Sequence, residues 1–323
     1  MIPDYAYVRA ASLEDAIRHL TATGACLHAG GTDLLCCLRD GIFSASKVVS
    51  ISALSSLRGI SPVAGGGMRI GALTTLAEIA RHPMLQKEYP ALAQAAASAA
   101  SPQLRNQGTI GGNLCQRPRC WYFRGDFKCA RKGGDLCFAA EGENQRHCIF
   151  GGEICFMVHP SDTAPALVAL EGVLKITGPK GQRNVAAEKF FVLPSKDVTR
   201  ENILDSGEII TEILLPPPLA GSRGGYFKVR SRGAWDFALT GVASALQFDG
   251  NTVRRARLVL SGVAPIPWRV PAAERELTGQ KLDAALISKV SSTSVSGAEP
   301  LSQNGYKIAM LRGAVESALS QLV

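Results

Sequence analysis

The stretch from Cys115 to Cys155 holds six of the chain's nine cysteines and shows neither a helical nor a two-residue apolar period. A loop this long inside a compact protein needs an internal organiser, because it has no apolar face of its own to bury. The opening residues, "MIPDYAYVRA", do not read as a basic region followed by an apolar stretch. A secreted disulfide framework is therefore not expected, and clustered thiolates in a reducing compartment point to metal. Cys120, Cys129 and Cys137 follow as C-x8-C-x7-C, with Cys148 and Cys155 further on. This is neither the C-x2-C pair of zinc ribbons nor the C-x2-C-x2-C run of bacterial ferredoxins. Spacing alone leaves an iron–sulfur cluster, structural zinc and unliganded thiols open.

With 323 residues, 46% hydrophobic and 19% charged, the chain is long enough for two domains, or one with subdomains, around a large core. No apolar run reaches the length of a membrane span, so a cytoplasmic protein with no membrane partner is expected. A net charge of +8 and the group Arg254, Arg255 and Arg257 raise nucleic acid as a partner. The basic residues are dispersed and no helix-turn-helix or aromatic RNA-binding pattern accompanies them, so a solvated or protein-docking face is expected instead.

Residues 12–23 read as a helix with Ser12 as cap, and "ACLHAGGTDLL" as a strand running into a glycine turn. Thr74 or Thr75 caps a further helix that ends before Pro83, and 91–101 is an alanine-rich helix stopped by Pro102. "QLRNQGTIGGNL" then favours close backbone approach over helix. The three prolines and the glycines within 213–225 mark a linker. Beyond it, "GYFKVR" and "RRARLVLSGV" read as strands, "GVASALQF" and "GYKIAMLRGAVESALSQL" as helices.

Two glycine motifs carry ligand chemistry. In "AGGTDL", Ala29, Gly30, Gly31, Thr32, Asp33 and Leu34, successive backbone N–H groups can turn toward a phosphate and Thr32 adds a hydroxyl. "TIGGNL" repeats that chemistry with Thr109, Gly111, Gly112 and Asn113. Two such loops suit the two ends of one extended anion such as a dinucleotide, while the lack of G-x-G-x-x-G disfavours an ordinary Rossmann site.

Together, "AGGTDL", "QLRNQGTIGGNL", "HPSDTAPAL" and "YFKVRSRGAWDFAL", in this order, resemble the FAD-binding medium subunit of the molybdenum hydroxylases, the xanthine dehydrogenase and carbon monoxide dehydrogenase family. The resemblance implies an α+β protein. A two-subdomain FAD-binding domain (VAO/PCMH-like) would span 1–217, divided near residue 55, and a smaller α+β domain would span 218–323. It implies that 29–34 surround the FAD pyrophosphate, that Thr109, Gly111, Gly112 and Asn113 form the second loop, and that Asp162 meets ribityl or ribose hydroxyls. Ile210 would lie against the isoalloxazine and Lys228 near its polar edge, supported electrostatically by Asp236. From the residues alone, Asp162 also fits a helix N-cap, Ile210 a core position and Lys228 a solvated face. Trp235 stands where some relatives carry an acidic residue, which leaves the electron acceptor, including NAD, open.

Relatives pass from the second glycine loop to the "SD" motif in about a dozen residues, whereas 47 separate Asn113 from Ser161 here. A subset of the family, including 4-hydroxybenzoyl-CoA reductase and a bacterial aldehyde oxidoreductase, carries a [4Fe–4S] insert at this place, and 115–156 is similar to it. That implies Cys120, Cys129, Cys137 and Cys155 as ligands, with Cys148 spare. Cys115, Cys26, Cys36 and Cys37 read as packing residues, and His159 as a turn cap beside Asp162. The function implied is electron transfer between a [2Fe–2S] small subunit and an external carrier such as ferredoxin or NAD. Substrate chemistry would sit in a molybdenum-cofactor large subunit, with no catalytic residue needed in this chain. A stand-alone flavin oxidoreductase and a zinc-stapled scaffold are the alternatives.

Overall fold

The computed structural model describes residues 3–323; Met1 and Ile2, part of the opening stretch read above, lie outside the described residues. Three sheets organise the chain. The first is parallel, with Lys47–Ser50 between Ala6–Arg9 and Ala25–His28. Its crossover helix, Leu13–Leu20, begins as the sequence requires: the Ser12 hydroxyl accepts from the Asp15 N–H at 3.1 Å. The strand Ala25–His28 ends at the first glycine loop, and the helix Leu34–Arg39 follows directly.

The second sheet has five antiparallel strands in the order Ile60–Pro62, Met68–Gly71, Ile209–Leu215, Val173–Gly178, Gly181–Ala186. Against it pack Leu76–Arg81, Pro90–Ser98 and Thr163–Ala169, forming the main apolar core. Thr75 caps Leu76–Arg81 through a reciprocal pairing with Glu78. Pro83 lies just past the end of that helix, as expected, and also opens the next one, Pro83–Glu88: at the first helical position its missing N–H costs nothing. The alanine-rich helix stops at Ser98, earlier than expected, because Ala99 is extended and Ala100 adopts φ +49°.

The third sheet is antiparallel, in the order Ser222–Val229, Thr240–Asp249, Thr252–Ser261, Trp268–Arg269, and is covered by Pro271–Leu277, Ala284–Thr293 and Tyr306–Ser320. "GVASALQF" is a strand here, not the helix its composition suggests. It pairs along its length with both neighbours, and such pairing overrides a weak local preference for helix. The proline turn is shorter than the expected linker, since 213–215 end one strand and Ser222 starts another. Tyr226, Ala243 and Val259 of this sheet enter the main core, so the two parts share apolar packing.

The basic group 254–257 finds its partners within the chain: Arg254 pairs with Asp249, Arg255 and Arg257 with Glu171, and Arg257 also with Glu188. Its charge is largely spent locally. No helix among the described residues is long and apolar enough to cross a membrane.

Candidate functional site: two glycine loops beside a four-thiol cavity

The two glycine loops lie against each other. A Cβ on Gly30 would stand 2.0 Å from the Gln107 carbonyl oxygen, so only glycine permits that approach, and Gly31 adopts φ +72°. Thr32 and Gly108 are near neighbours across the junction. The second loop is not free of helix. Ile110–Leu114 form one turn, capped by the Thr109 hydroxyl, which accepts from the Gly112 N–H at 3.2 Å, while Ile110 and Leu114 bury into the core. Among the described residues, no acceptor within the chain pairs with the N–H groups of Gly30, Gly31, Thr32 and Asp33. Four successive unspent donors at the end of a parallel strand suit an oxyanion.

Asp33 is held from across the chain. Its carboxylate accepts from the Arg117 N–H at 2.7 Å and from Arg119 and Arg124 at 2.8 Å each. Arg124 also donates to Cys37 Sγ at 3.0 Å. Two guanidiniums thus neutralise the one acid in the loop, which otherwise would repel a phosphate.

Asn113 turns its amide oxygen toward the "SD" motif, accepting from Ser161 at 2.6 Å and Thr163 at 2.7 Å. The cap of Thr163–Ala169 is Ser161, whose hydroxyl accepts from the Ala164 N–H at 3.0 Å; Asp162 makes no cap bond with its side chain. That carboxylate faces inward, accepting from Lys228 at 2.8 Å and from the Tyr226 hydroxyl at 2.7 Å. Lys228 is 3% exposed, so it is no solvated face. It also donates to the carbonyls of Asp236 at 2.9 Å and Ser98 at 3.2 Å. Asp236 therefore supports Lys228 through its backbone, and its carboxylate instead accepts from the Ser231 N–H. Burial pushes the Asp162 carboxyl up, opposed by the Lys228 charge. Ile210 is buried in the main core, and Trp235 is two-thirds exposed with φ +52°. His159 caps the turn, its Nδ1 accepting from the Ser161 N–H at 3.4 Å, and burial lowers its pKa to about 3.

The cysteine segment has only two short helical turns, Trp121–Arg124 and Ala130–Lys132. Cys120, Cys129, Cys137 and Cys155 line one cavity with Tyr122, Phe123, Phe138 and Arg131, and Cys148 does not line it. Cys137 and Cys155 act on each other, the pairing raising the first thiol and lowering the second. Burial pushes Cys120 up to about 11, and the Cys120 sulfur meets His147 Nε2 at 3.1 Å. No three His, Cys, Asp or Glu side chains among the described residues gather around a point fit for one metal ion. A tetrahedral zinc site would hold sulfurs about 3.8 Å apart, given Zn–S bonds of about 2.3 Å. A four-iron cluster gives each thiolate its own iron and spreads them wider. Cys115 packs on the main core, Cys26 and Cys37 in smaller apolar clusters, and Cys36 contacts the Thr32 carbonyl.

The segment's far end is tied to the third sheet and its helices. Asn304 donates to the carbonyls of His147 and Cys148 at 3.2 and 3.0 Å, and Lys307 to those of Arg146 and Gly262 at 3.2 and 2.7 Å. Sequence reading missed Arg119, Arg124, Arg131 and Glu201. The signal present was a run of arginines interleaved with the cysteines, next to a loop expected to bind phosphate.

An α+β chain with paired glycine loops and a C-terminal antiparallel domain is the arrangement that this protein shares with flavin-binding subunits of oxidoreductases. Residues 3–218 match the family model described as the FAD binding domain in molybdopterin dehydrogenase, and 225–322 match the CO dehydrogenase flavoprotein C-terminal domain. The chain belongs to this family, the FAD-binding subunits of molybdenum hydroxylase-type oxidoreductases. It is 36% identical to the aldehyde oxidoreductase FAD-binding subunit PaoB of Escherichia coli (strain K12), over 95% of this chain and 94% of that one. It is 28% identical to the carbon monoxide dehydrogenase medium chain of Hydrogenophaga pseudoflava, over 98% and 96%. The solved carbon monoxide dehydrogenase of Hydrogenophaga pseudoflava that lacks the Mo-pyranopterin moiety superposes with a TM-score of 0.79 at 27% identity, covering 99% of this chain and 97% of that one.

Proposed function

We propose that this chain is a cytoplasmic electron-transfer subunit carrying FAD and a [4Fe–4S] cluster. Its partners would be a [2Fe–2S] small subunit, a molybdenum-cofactor large subunit and an external carrier. Residues 1–217, with the insert 115–156, would hold both groups, and 218–323 would close over the flavin site. The observation that carries the cluster reading is the convergence of Cys120, Cys129, Cys137 and Cys155 on one cavity. FAD, when bound, exchanges electrons singly or in pairs, and a [4Fe–4S] cluster exchanges them singly.

The chain's own residues do the holding. The N–H groups of 30–33 and the second loop bind the diphosphate, while Arg119 and Arg124 offset Asp33. Asp162 is fixed by Lys228 and Tyr226 and presents hydrogen-bond acceptance toward the ribityl or ribose hydroxyls. Ile210 and Lys228 serve the isoalloxazine's apolar face and polar edge. The four thiolates add to the small apolar cluster that Phe123, Cys129, Cys120 and Phe138 of the insert form with Cys37 and Ile42.

The test is the full chain purified without oxygen and analysed for flavin, iron and sulfide, with the co-purified complex assayed for molybdenum. Stoichiometric FAD with four irons and four sulfides is expected. One zinc, or a colourless protein, would remove the reading.

A further inference from the structure

Arg131 is the only Lys, Arg, Asp or Glu among the residues lining the four-cysteine cavity. Its side chain is 1% exposed, and Nη1 is spent on Glu201 at 2.7 Å and the Arg200 carbonyl at 3.2 Å. Among the described residues, its Nε and Nη2 meet no acceptor at hydrogen-bonding geometry, although the guanidinium lies beside the Cys155 sulfur and acts on it electrostatically. Unpaired donors on a buried guanidinium are costly, so their survival in a cavity wall points to an acceptor that sits in the cavity. The charge is not cancelled either: Glu201 also pairs with Arg117 at 3.0 Å, so one carboxylate serves two guanidiniums.

We propose that Arg131 is a positioning residue for the cysteine-bound cluster, donating its two spare N–H groups to cluster or cysteinyl sulfur and raising the reduction potential. The inference rests on the [4Fe–4S] reading above. A cluster with four thiolates is anionic and gains a further negative charge on reduction, so a nearby buried cation stabilises the reduced form more than the oxidised one. Hydrogen bonds to sulfur act in the same direction, since they disperse charge that is greater after reduction. Glu201 works against Arg131 at the same site, which gives the proposal a sign that a purely structural ion pair would not have.

The experiment is a redox titration of the full chain, followed by the paramagnetic signal of the reduced cluster, with iron counted in every sample. Arg131→Gln keeps four irons and lowers the equilibrium constant for cluster reduction tenfold or more, a fall of about 59 mV or more for one electron. Arg131→Lys, which keeps the charge but not the planar donors, recovers part of that shift. Glu201→Gln moves the potential upward. A four-iron Arg131→Gln protein with the wild-type potential overturns the proposal. So does loss of the cluster from both Arg131 variants when wild type assembles it, which would make Arg131 a post for the insert. Wild-type protein without iron overturns the cluster reading itself, a separate result.

Discussion

Asp33 and Arg124 stand 2.8 Å apart across 91 positions of sequence, one in the first glycine loop and the other in the cysteine segment. With Arg119 and the Arg117 N–H on the same carboxylate, the loop read as a phosphate cradle and the segment read as a cluster site become one unit. Ordering either side orders the other, so the two occupancies should be coupled reciprocally.

Arg124→Ala removes bonds to Asp33 and Cys37 while leaving the four cavity cysteines in place. Charge-assisted hydrogen bonds of this kind contribute about 1.5–3 kcal/mol each. FAD affinity should fall at least tenfold. Fluorescence titration of flavin-stripped protein measures it; an unchanged dissociation constant would mean that the pair is incidental to flavin binding.

Lys228→Ala should destabilise the fold, because it strands the Asp162 carboxylate in a site only 5% exposed. Removing one partner of a buried pair costs about 3–5 kcal/mol. Asp162→Asn combined with Lys228→Met leaves no uncompensated charge and should recover more than half of the loss. Urea unfolding of the two variants decides this, and equal midpoints would show that the charge pair is not the cause.

What the sequence made legible is what local chemistry encodes. Ser12 and Thr75 announce helix starts, paired glycines announce close backbone approach, and clustered cysteines in a non-periodic stretch announce an organiser. What it concealed depends on partners distant in the chain. The strand Thr240–Asp249 is defined by its neighbours on both sides, not by its alanines. Asp162 occupies a cap position in sequence, yet Ser161 does the capping because Lys228 and Tyr226 claim the carboxylate from another sheet. Arg131 reads as one basic residue among several until Glu201 and the cavity are placed beside it.

His159 supplies a pH dependence. Its folded pKa, about 3, lies below the ordinary value of about 6.5 because burial disfavours the charged ring. Between those limits the unfolded chain binds a proton that the native chain does not, so stability rises with pH and falls as pH drops from about 6.5 toward 3. His159→Gln, which can still accept from the Ser161 N–H, should flatten the slope by up to about 1.4 kcal/mol per pH unit. Denaturant midpoints at pH 7, 6 and 5 for both proteins test it, parallel curves being the contrary result.

Cys148 and Cys155 are seven residues apart and differ in what surrounds them. Cys155 lines the cavity beside Arg131. Cys148 is buried outside it, with its carbonyl accepting from Asn304 and its N–H donating to the Phe156 carbonyl at 2.9 Å. Cys148→Ser leaves those backbone bonds intact, so it should retain four irons and the wild-type signal of the reduced cluster. Cys155→Ser removes one of the four thiols that line the cavity and should lose one iron or the whole cluster. Protease sensitivity should then appear on the Cys120–Cys137 side first, because Asn304 and Lys307 still hold the far end of the segment. Iron counts on the two purified variants are decisive: if Cys148→Ser loses iron and Cys155→Ser keeps it, the ligand set is Cys120, Cys129, Cys137 and Cys148.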